Sequence, residues 1–380
     1  MKITIIEKGH FEVAYTLIRL FDEDRNQLTI VVDHPSYEQL AFLLQDKLNR
    51  YNWIIQKKES NRHFIRLVFD ALGNNQPDLL FIDTIADNFI HYAWYLRKLK
   101  GPEMVMTLHD IKGYFHHPAS LSLRKTIRSI GKRLLIKTVP VINVLSETLL
   151  PLLKEKLPAK KRLCIPGAFY EPGKIRQPSY TGTEIIKLAV PGSVDERRRN
   201  YRDVLDFLDQ ANRAGLKVAV TLVGHFHDPA GQSIYKECQH YLQANGNLHI
   251  YEAGIVPQRE FDRVMEESHF IWMPLQRSAA VTDGIREEYG ISISTGNLGD
   301  VIRYAKPFFA PSWLRVDQAL RQNCQPYNQV QEIIGQLKAL TPATYPSFLQ
   351  AARQASDYYT IEKIRERNPT LFNGKIAKQP

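Results

Sequence analysis

Short apolar runs alternate with segments of helical periodicity through the first 165 residues of the chain. The runs predict strands over residues 2–6, 28–32, 53–55, 79–83, 104–108, 141–145 and 163–165. Apolar residues at helical spacing, as in 13–20 and 37–48, predict helices between most of these strands. Strands that alternate with helices are typical of a doubly wound parallel sheet. The first half therefore predicts an α/β domain.

A second alternating series follows a stretch that lacks periodicity. Residues 171–184 are rich in proline, glycine and tyrosine, as linkers are. Beyond them, strands are predicted over 185–190, 218–223, 248–251, 270–273 and 308–309, and helical patterns dominate after residue 311. We therefore predict a first domain over 1–170, a linker over 171–184, a second domain over 185–345 and a C-terminal helical segment over 346–380.

The segment from 283 to 311 contains the clearest ligand-binding signal. Apolar residues between Leu298 and Ala305 fall at helical spacing, so a helix is predicted to begin near Thr295. A helix start presents unpaired N–H groups and the positive end of a dipole, which favour an anion. Glu287 and Glu288, just upstream, could accept hydrogen bonds from ligand hydroxyls. The predicted phosphate cradle consists of Ser294, Thr295, Gly296 and Asn297.

Size and composition support a soluble two-domain enzyme. A chain of 380 residues is long for one hydrophobic core, and its 44% hydrophobic and 24% charged residues are ordinary for a globular protein. No apolar run reaches the roughly 18 residues that a membrane span needs. The first ten residues lack a secretory pattern. Three widely separated cysteines fit a reducing cytoplasm, where we expect this protein.

The net charge of +10 indicates an anionic partner, which could be nucleic acid, an anionic membrane face or a phosphorylated substrate. Nucleic acid is not expected, because the basic residues are scattered over helices without a stacking motif. Residues 121–137 combine an apolar stripe with many lysines and arginines. Such a helix can lie on the inner face of the cell membrane as a peripheral contact. Its stripe could instead pack on the sheet of the first domain.

Polar residues follow several predicted strands of the first half. They are His10 and Glu12 after the first strand, Asp83 at the end of the fourth, and His109 and Asp110 after the fifth; the small residue Gly9 precedes His10. Ligands bind beyond the carboxyl ends of such strands. The histidines could face one cleft and act as acid, base or hydrogen-bond donor, with Asp110 or Glu12 as an alternative base. Each could instead cap a neighbouring turn.

Three consecutive arginines precede the first helix of the second domain. Gly192 ends the strand before them, and Gly224 ends the next strand. Arg197, Arg198 or Arg199 could bind a diphosphate through forked, charge-assisted hydrogen bonds. The alternative is a solvated basic helix start.

These features resemble the GT-B-fold glycosyltransferases, and in particular the retaining group called family 4. The resemblance covers most of 185–311, through G-S-V-D-E-R-R-R, L-V-G-H, Y-E-A-G-I-V-P, F-I-W-M-P, E-E-Y-G and A-K-P-F-F-A-P. T-L-H-D, V-L-S-E and L-C-I-P-G extend it into the first half. The resemblance implies two Rossmann-like domains that face each other across a cleft. It also implies a C-terminal helix that returns to the first domain.

The resemblance assigns roles to several donor-binding positions. Gly9 would lie near the donor phosphates, and His109 near the reacting sugar. Arg199 stands where the group has a phosphate-binding lysine, and Ser193 stands where an arginine is common. Ile255 and Val256 would border the nucleobase through their backbone.

The paired-glutamate motif of that group is incomplete here. Glu287 matches its first glutamate, whereas Thr295 stands where the second would fall. The run from Thr295 to Lys306 is also longer than is usual for the group.

The function implied is transfer of a sugar, of the hexosyltransferase type, from a nucleotide diphosphate sugar to a hydroxyl of a glycan or lipid-linked acceptor. Cell-envelope or exported polysaccharide synthesis is the expected setting. No cofactor and no metal are expected, because Arg199 and backbone N–H groups would stabilise the leaving diphosphate. Retention is favoured over inversion. The alternatives are a sugar-nucleotide epimerase of the same fold and a non-catalytic binding scaffold.

Overall fold

The computed structural model describes residues 1–115, 122–226, 229–251, 254, 256–281 and 284–372. Its first half forms a parallel sheet of seven strands in the order β3-β2-β1-β4-β5-β6-β7. The strands are β1 Lys2–Ile6, β2 Gln27–Asp33, β3 Asn52–Gln56, β4 Leu79–Ile82, β5 Glu103–Leu108, β6 Val141–Val144 and β7 Lys161–Cys164. The helices are α1 Phe11–Phe21, α2 His34–Leu44, α3 Asn61–Asn75, α4 Phe89–Lys98, α5 Lys112–Phe115, α6 Leu123–Thr138 and α7 Leu150–Lys156.

The second half forms a parallel sheet of six strands in the order β10-β9-β8-β11-β14-β15, and β12 pairs with β13 in a separate hairpin. The strands are β8 Ile186–Pro191, β9 Val218–Val223, β10 Leu248–Ile250, β11 Phe270–Trp272, β12 Ser278–Ala280, β13 Arg286–Glu288, β14 Phe308–Pro311 and β15 Cys324–Tyr327. The helices are α8 Tyr201–Arg213, α9 Pro229–Ala244, α10 Gln258–Glu267, α11 Asn297–Tyr304, α12 Val330–Lys338, α13 Tyr345–Asp357, α14 Ile361–Arg367 and α15 Pro369–Phe372.

The apolar runs become central strands because helices cover both faces of each sheet. All four residues of β4 are buried, as are those of β6. Such strands read as continuous apolar runs rather than alternating ones. On one face of the first sheet lie α3, α4, α6 and α7, and on the other lie α1 and α2.

The last two helices, α14 and α15, pack on the first domain, beside α1 and α2. Ile364 and Phe372 are buried in the same core as α1. Arg365 donates a hydrogen bond from Nε to the carbonyl of Leu20 over 2.9 Å, and Arg25 donates one to the carbonyl of Phe372 over 2.7 Å. The chain thus crosses between the domains twice.

Direct contacts join the two domains at the carboxyl ends of their strands. Ile111 N–H donates to the carbonyl of Ser292 over 2.8 Å, and Lys112 Nζ lies 2.9 Å from Glu288 Oε1. Gly299 of α11 faces Ala168, where a Cβ on the glycine would come within 3.3 Å of the alanine Cβ. The strand ends of both sheets therefore border one cleft.

Two features of the second domain were not predicted from the sequence. The hairpin of β12 and β13 has only three residues in each strand, and β15 contains polar residues and a proline. Such short strands give little periodic signal. The helix predicted to begin near Thr295 begins at Asn297, with Gly296 as its N-cap residue. None of the helices in the described ranges is both long and apolar enough to cross a bilayer.

Candidate active site

The guanidinium of Arg199 lies where the first strand of the second domain meets the start of α11. Its Nη1 donates to the carbonyl of Ser193 over 2.7 Å, and its Nη2 donates to Oδ1 of Asn297 over 3.0 Å. The amide of Asn297 donates in turn to the carbonyl of Pro191 over 2.8 Å. Arg199 is only 8% exposed, so its position is fixed from several sides.

Two glycines make room for this arrangement. Gly192 has a φ of +95°, and a Cβ there would lie 2.6 Å from Nη2 of Arg199. A Cβ on Gly224 would lie 2.1 Å from the carbonyl oxygen of Gly192. Both positions therefore need glycine for close packing of the loops around the arginine.

The start of α11 has backbone donors without partners. Within the described residues, no hydrogen bond is donated by the N–H groups of Thr295 and Gly296. A Cβ built on Gly296 meets no heavy atom within 4 Å, so space lies in front of the helix end. The half-buried Ser294 precedes this turn. A helix start of this kind, beside a fixed guanidinium, suits an anion.

Two further arginines lie around α11: Arg198, next to Arg199, and Arg303, in the last turn of the helix. Nε of Arg198 is 3.6 Å from a carboxylate oxygen of Asp195, and the charge of Arg198 is one of the causes that lower the pKa of His10 in the other domain. Arg303, on α11, has a buried Nη2 with no hydrogen-bond partner in the described chain. Arg303 was not predicted from the sequence, where it has the pattern of an ordinary solvated helix residue.

Carboxyl groups also border the helix end. Burial, opposed by Arg303 and assisted by Glu12, raises the pKa of Asp300 to about 7. Burial likewise raises the pKa of Glu12. Near neutral pH, Asp300 is thus divided between its neutral and charged forms.

His10 and His109 lie together on the first domain, as the sequence predicted for residues beyond strand ends. Their rings stack with centroids 4.6 Å apart. Desolvation by the surrounding chain lowers the pKa of His10 to about 4, with His109 as the next cause, so His10 is neutral at pH 7. Gly9 adjoins this pair, and a Cβ there would lie 3.3 Å from a side-chain carbon of Thr84.

Behind the histidines lies a buried network, of which only Asp83 was predicted from the sequence. His109 Nε2 is 3.1 Å from Oγ1 of Thr84 and 3.6 Å from Oδ1 of Asp83. Thr84 donates to Oε2 of Glu7 over 2.8 Å, and the N–H of His10 donates to Oε1 of Glu7 over 2.8 Å. The network fixes the imidazole of His109 at the cleft.

The two carboxyl groups of this network differ in protonation. Burial raises the pKa of Glu7 well above its usual range, and the adjacent Asp83 raises it further. Burial also opposes ionisation of Asp83, but the Glu7 carboxyl and His109 outweigh it and hold its pKa at about 2. Within this pair, the proton is therefore favoured on Glu7 and the negative charge on Asp83.

Glu7, Asp83 and His109 have a spacing that could also hold a metal ion. Each offers one ligand atom, and these atoms lie within 4.8 Å of one another. Carboxylate and imidazole groups are ordinary metal ligands. The expectation that the protein uses no metal stays a prediction.

Asp110 and Glu287 lie where the two domains touch. Glu287 is fully buried, and its Oε1 accepts a hydrogen bond from the N–H of Gly113 over 2.7 Å. Burial raises the pKa values of Glu287 and Asp110. Glu288 is paired with Lys112 instead. In this arrangement the carboxylate of Glu287 joins the domains, and its role toward a donor stays a prediction.

The predicted nucleobase border is described only in part. Val256 is half-buried and packs at the edge of the core of the second domain. Ile255 lies outside the described residues.

A cavity of about 570 Å³ lies between the domains but not at the predicted donor residues. Its walls include Thr148 and Pro151 from the first domain and Arg315, Asp317 and Arg321 from the second. The buried guanidinium of Arg199 and the unpartnered N–H groups lie at the start of α11 and not in this cavity.

Comparisons with known proteins bear on the fold. No protein-family model matches the sequence, and no curated protein matches it. The chain is similar in structure to a glycosyltransferase from Rickettsia africae, with a TM-score of 0.65 and 13% identity over 100% of this chain and 99% of that one. It is similar to Anabaena HepE in complex with UDP and glucose, with a TM-score of 0.64 and 13% identity over 98% of this chain and 99% of that one.

A third similar structure is a UDP-GlcNAc 2-epimerase from Neisseria meningitidis bound to UDP-GlcNAc. Its TM-score is 0.59, with 12% identity over 98% of this chain and 100% of that one. Likeness at such identities establishes the fold. The predicted α/β architecture of two Rossmann-like domains facing across a cleft, which is the GT-B fold, is confirmed.

Proposed function

We propose that this chain is a glycosyltransferase that moves a sugar from a nucleotide diphosphate sugar to a hydroxyl acceptor. One observation carries the proposal: the buried guanidinium of Arg199 lies beside the partnerless N–H groups at the start of α11. A fixed cation next to a helix start is suited to a diphosphate. Several structural neighbours are glycosyltransferases, which supports the choice of reaction.

The same groups would serve the chemical step. When the bond between the sugar and the diphosphate breaks, negative charge develops on the diphosphate oxygens. Arg199 is held in place by the carbonyl of Ser193 and by Asn297. The N–H groups of Thr295 and Gly296 have no partner in the described chain, so they and Arg199 would stabilise the charge with little rearrangement. Arg198 and Arg303 add positive potential nearby. We propose that this arrangement replaces a metal ion.

The first domain would present the acceptor and the groups that move protons. His109, held by Thr84 and stacked on His10, is proposed to contact the reacting sugar. Neutral His10 could accept a proton from an acceptor hydroxyl in an inverting reaction. In a retaining reaction, the departing phosphate would accept that proton. The resemblance to family 4 supports retention.

Binding of nucleotides tests the proposal most directly. A thermal-shift screen with nucleoside diphosphates and their sugars should give one strongly stabilising base, because a ligand that binds only the folded state raises the melting temperature. Arg199→Ala should abolish that shift. Arg202→Ala, at an exposed position three residues along, is the matched control and should preserve it. A chain that no nucleotide or nucleotide sugar stabilises would be a non-catalytic scaffold.

Glu287 needs a separate test because the structure buries it between the domains. If its carboxylate also binds donor hydroxyls, Glu287→Ala should abolish transfer. Glu287→Gln keeps an oxygen that can accept from Gly113, so it separates the two roles. Normal turnover in Glu287→Gln would restrict Glu287 to joining the domains.

A sugar-nucleotide epimerase is a second candidate, and the buried acid–base network favours it. A Glu7 carboxyl with a raised pKa, an Asp83 carboxyl with a lowered pKa and two imidazoles lie at one edge of the cleft. Epimerisation needs such acid and base groups around the donor sugar. Similar structures include UDP-GlcNAc 2-epimerases. Incubation with the donor alone distinguishes an epimerase from a glycosyltransferase, since only an epimerase converts the donor to its epimer without an acceptor.

The acceptor is proposed to be a glycan or lipid-linked glycan of the cell envelope or of an exported polysaccharide. The basic helix of the first domain supports an acceptor at the inner face of the cell membrane. A transfer assay with lipid-linked and free acceptors, after the donor is known, would distinguish them.

A further inference from the structure

Exposed large apolar side chains are concentrated on two neighbouring helices of the first domain. The described chain has seven such residues, and four of them lie on α4 and α6. These are Trp94, Leu123, Ile127 and Ile130, exposed by 51%, 73%, 46% and 48%. The apolar stripe predicted on the basic helix therefore faces outward along part of its length, instead of packing wholly on the sheet.

The two helices lie side by side, so their outer residues belong to one surface. A Cβ on Gly131 of α6 would come within 2.8 Å of Phe89 Cβ on α4. About two turns further along both helices, Arg97 donates from Nε to Oγ1 of Thr138 over 3.3 Å. The close approach at Gly131 and the bond at Arg97 show that the helices run parallel. Leu135 and Ile136 turn toward the core.

The charge on these helices has one sign. Neither α4 nor α6 contains an Asp or Glu, and together they carry eight lysines and arginines. Lys132 is buried and donates to the carbonyl of Gly113, so it supports the fold. Lys98, Arg124 and Lys137 are exposed. Nζ of Lys98 lies 3.3 Å from the ring centroid of Trp94, which places a cation beside the exposed indole.

We infer that α4 and α6 form a docking surface for an anionic lipid bilayer, which we call the α4–α6 surface. It consists of Trp94, Leu123, Ile127 and Ile130, with Lys98, Arg124 and Lys137 around them. Isoleucine and tryptophan side chains enter the interfacial region of a bilayer, where indole rings are favoured. The basic residues meet anionic headgroups and hold the helix axes parallel to the membrane plane.

Other occupants fit these residues less well. A second copy of the chain would bring two basic surfaces together, and like charges oppose that contact. Duplex nucleic acid would satisfy the lysines and arginines but would leave the apolar stripe in water. Only a bilayer provides anionic headgroups and an apolar layer at the depths at which the two kinds of side chain lie.

The inference concerns a surface of the first domain and does not depend on the donor chemistry. Sedimentation of the full chain with vesicles tests it. Vesicles of phosphatidylcholine with about 30% phosphatidylglycerol should bind at least tenfold more protein than pure phosphatidylcholine vesicles, and added salt should weaken the binding. Equal binding to both vesicles, or binding to neither, would overturn the inference.

Matched variants separate the two contributions. Lys98→Gln, Arg124→Gln and Lys137→Gln together should reduce partitioning about a hundredfold, since each charge near the surface contributes roughly a factor of five. The control replaces Lys236, Arg259 and Lys338, exposed basic residues of the second domain, by Gln and should change little. Trp94→Gln with Ile127→Gln should reduce partitioning at least about tenfold. Phe42→Gln with Ile185→Gln, equally exposed apolar residues elsewhere, should not.

Two more measurements test the other occupants, a second copy of the chain and duplex DNA. The protein could associate with itself in sedimentation velocity as its concentration rises, and Trp94→Gln with Ile127→Gln could abolish this association. That result would show that the surface docks a second copy of the chain, and it would overturn the inference of a bilayer. Binding to duplex DNA as tight as to anionic vesicles would also overturn the inference. Circular dichroism and thermal unfolding of the same variants show whether they are folded, and a separate measurement of nucleotide stabilisation tests the proposed transferase function.

Discussion

The two domains that border the cleft have parallel sheets of similar strand order, but the side chains that they place at the cleft differ in kind. Both sheets are parallel and present the carboxyl ends of their strands to the cleft. The second domain places an arginine and backbone donors there, with one carboxyl group, that of Asp300, in the first turn of α11. The first domain places two carboxyl groups and two imidazoles there, and the surroundings of Glu7, Asp83 and His10 shift the pKa values of these three groups.

This difference suggests that one domain binds the diphosphate and that the other transfers protons. A permanent positive potential suits the binding of a diphosphate, whereas groups with shifted pKa values suit the transfer of protons. The two sets meet where Arg198 of one domain influences His10 of the other. Variants on the two sides should therefore alter different kinetic constants.

The largest effect is expected on the first-domain side. His109→Ala should lower kcat about a thousandfold, because a positioned acid or base contributes roughly 10² to 10⁴ in rate. Nucleotide affinity should stay within about twofold, since the diphosphate lies on the other side. Steady-state kinetics and calorimetry of the same variant check this. A large loss of nucleotide affinity would break the proposed division.

Next in size is the second-domain side. Arg199→Ala should weaken nucleotide binding about a hundredfold, consistent with the loss of charge-assisted hydrogen bonds worth up to about 3 kcal/mol. Since Arg199 is buried and also holds Asn297, circular dichroism must show that the variant is folded. Arg199→Lys keeps the charge and should recover part of the affinity. Full affinity in Arg199→Ala would move the anion site elsewhere.

A smaller effect should appear in the pH dependence of donor binding. Asp300, with a pKa of about 7, is neutral below that pH and charged above it. The charged form repels a diphosphate, so affinity for a nucleotide sugar should fall as pH rises from about 6 to 8. Asp300→Asn should flatten this profile and strengthen binding at about pH 8 by roughly tenfold. Calorimetry across the range checks both; an unchanged slope in Asp300→Asn would assign the titration to another group.

The smallest effect is expected in the network behind His109. Thr84→Val removes the hydroxyl between His109 and Glu7 while keeping the side-chain volume. We expect kcat to fall about tenfold or less, because only the orientation of His109 weakens, and KM to stay near its original value. Thr29→Val, in β2, is the matched control and should leave the kinetics unchanged. If Thr84→Val has the same kinetic constants as the unmodified protein, the hydroxyl of Thr84 is not needed to orient His109.

The strands were predictable because their apolar runs are long and buried on both faces. β1, β4 and β9 have the bounds that the runs gave, to within one residue. The hairpin of β12 and β13 was not predictable, since each strand has three residues and pairs only with the other. Glycines before helices and polar residues after strands pointed to both sides of the cleft.

The partners of those residues could not be read from the chain. Glu7 is an ordinary acidic residue in the sequence, yet the fold brings it to Thr84, 77 positions away. Arg303 reads as a solvated helix residue, yet one of its nitrogens is buried. Glu287 was predicted to face a donor, and the structure joins it to Gly113 across 174 positions.

Sequence by itself determined the alternation of strands and helices, the place of the linker pattern and the residue types at the strand ends, because these depend on local periodicity and composition. Tertiary structure alone decided which side chains are buried together and hence which carboxyl is protonated. It also decided that Trp94 joins the outer face of α6. Those properties depend on desolvation and on distances between residues far apart in the chain, which no local pattern contains.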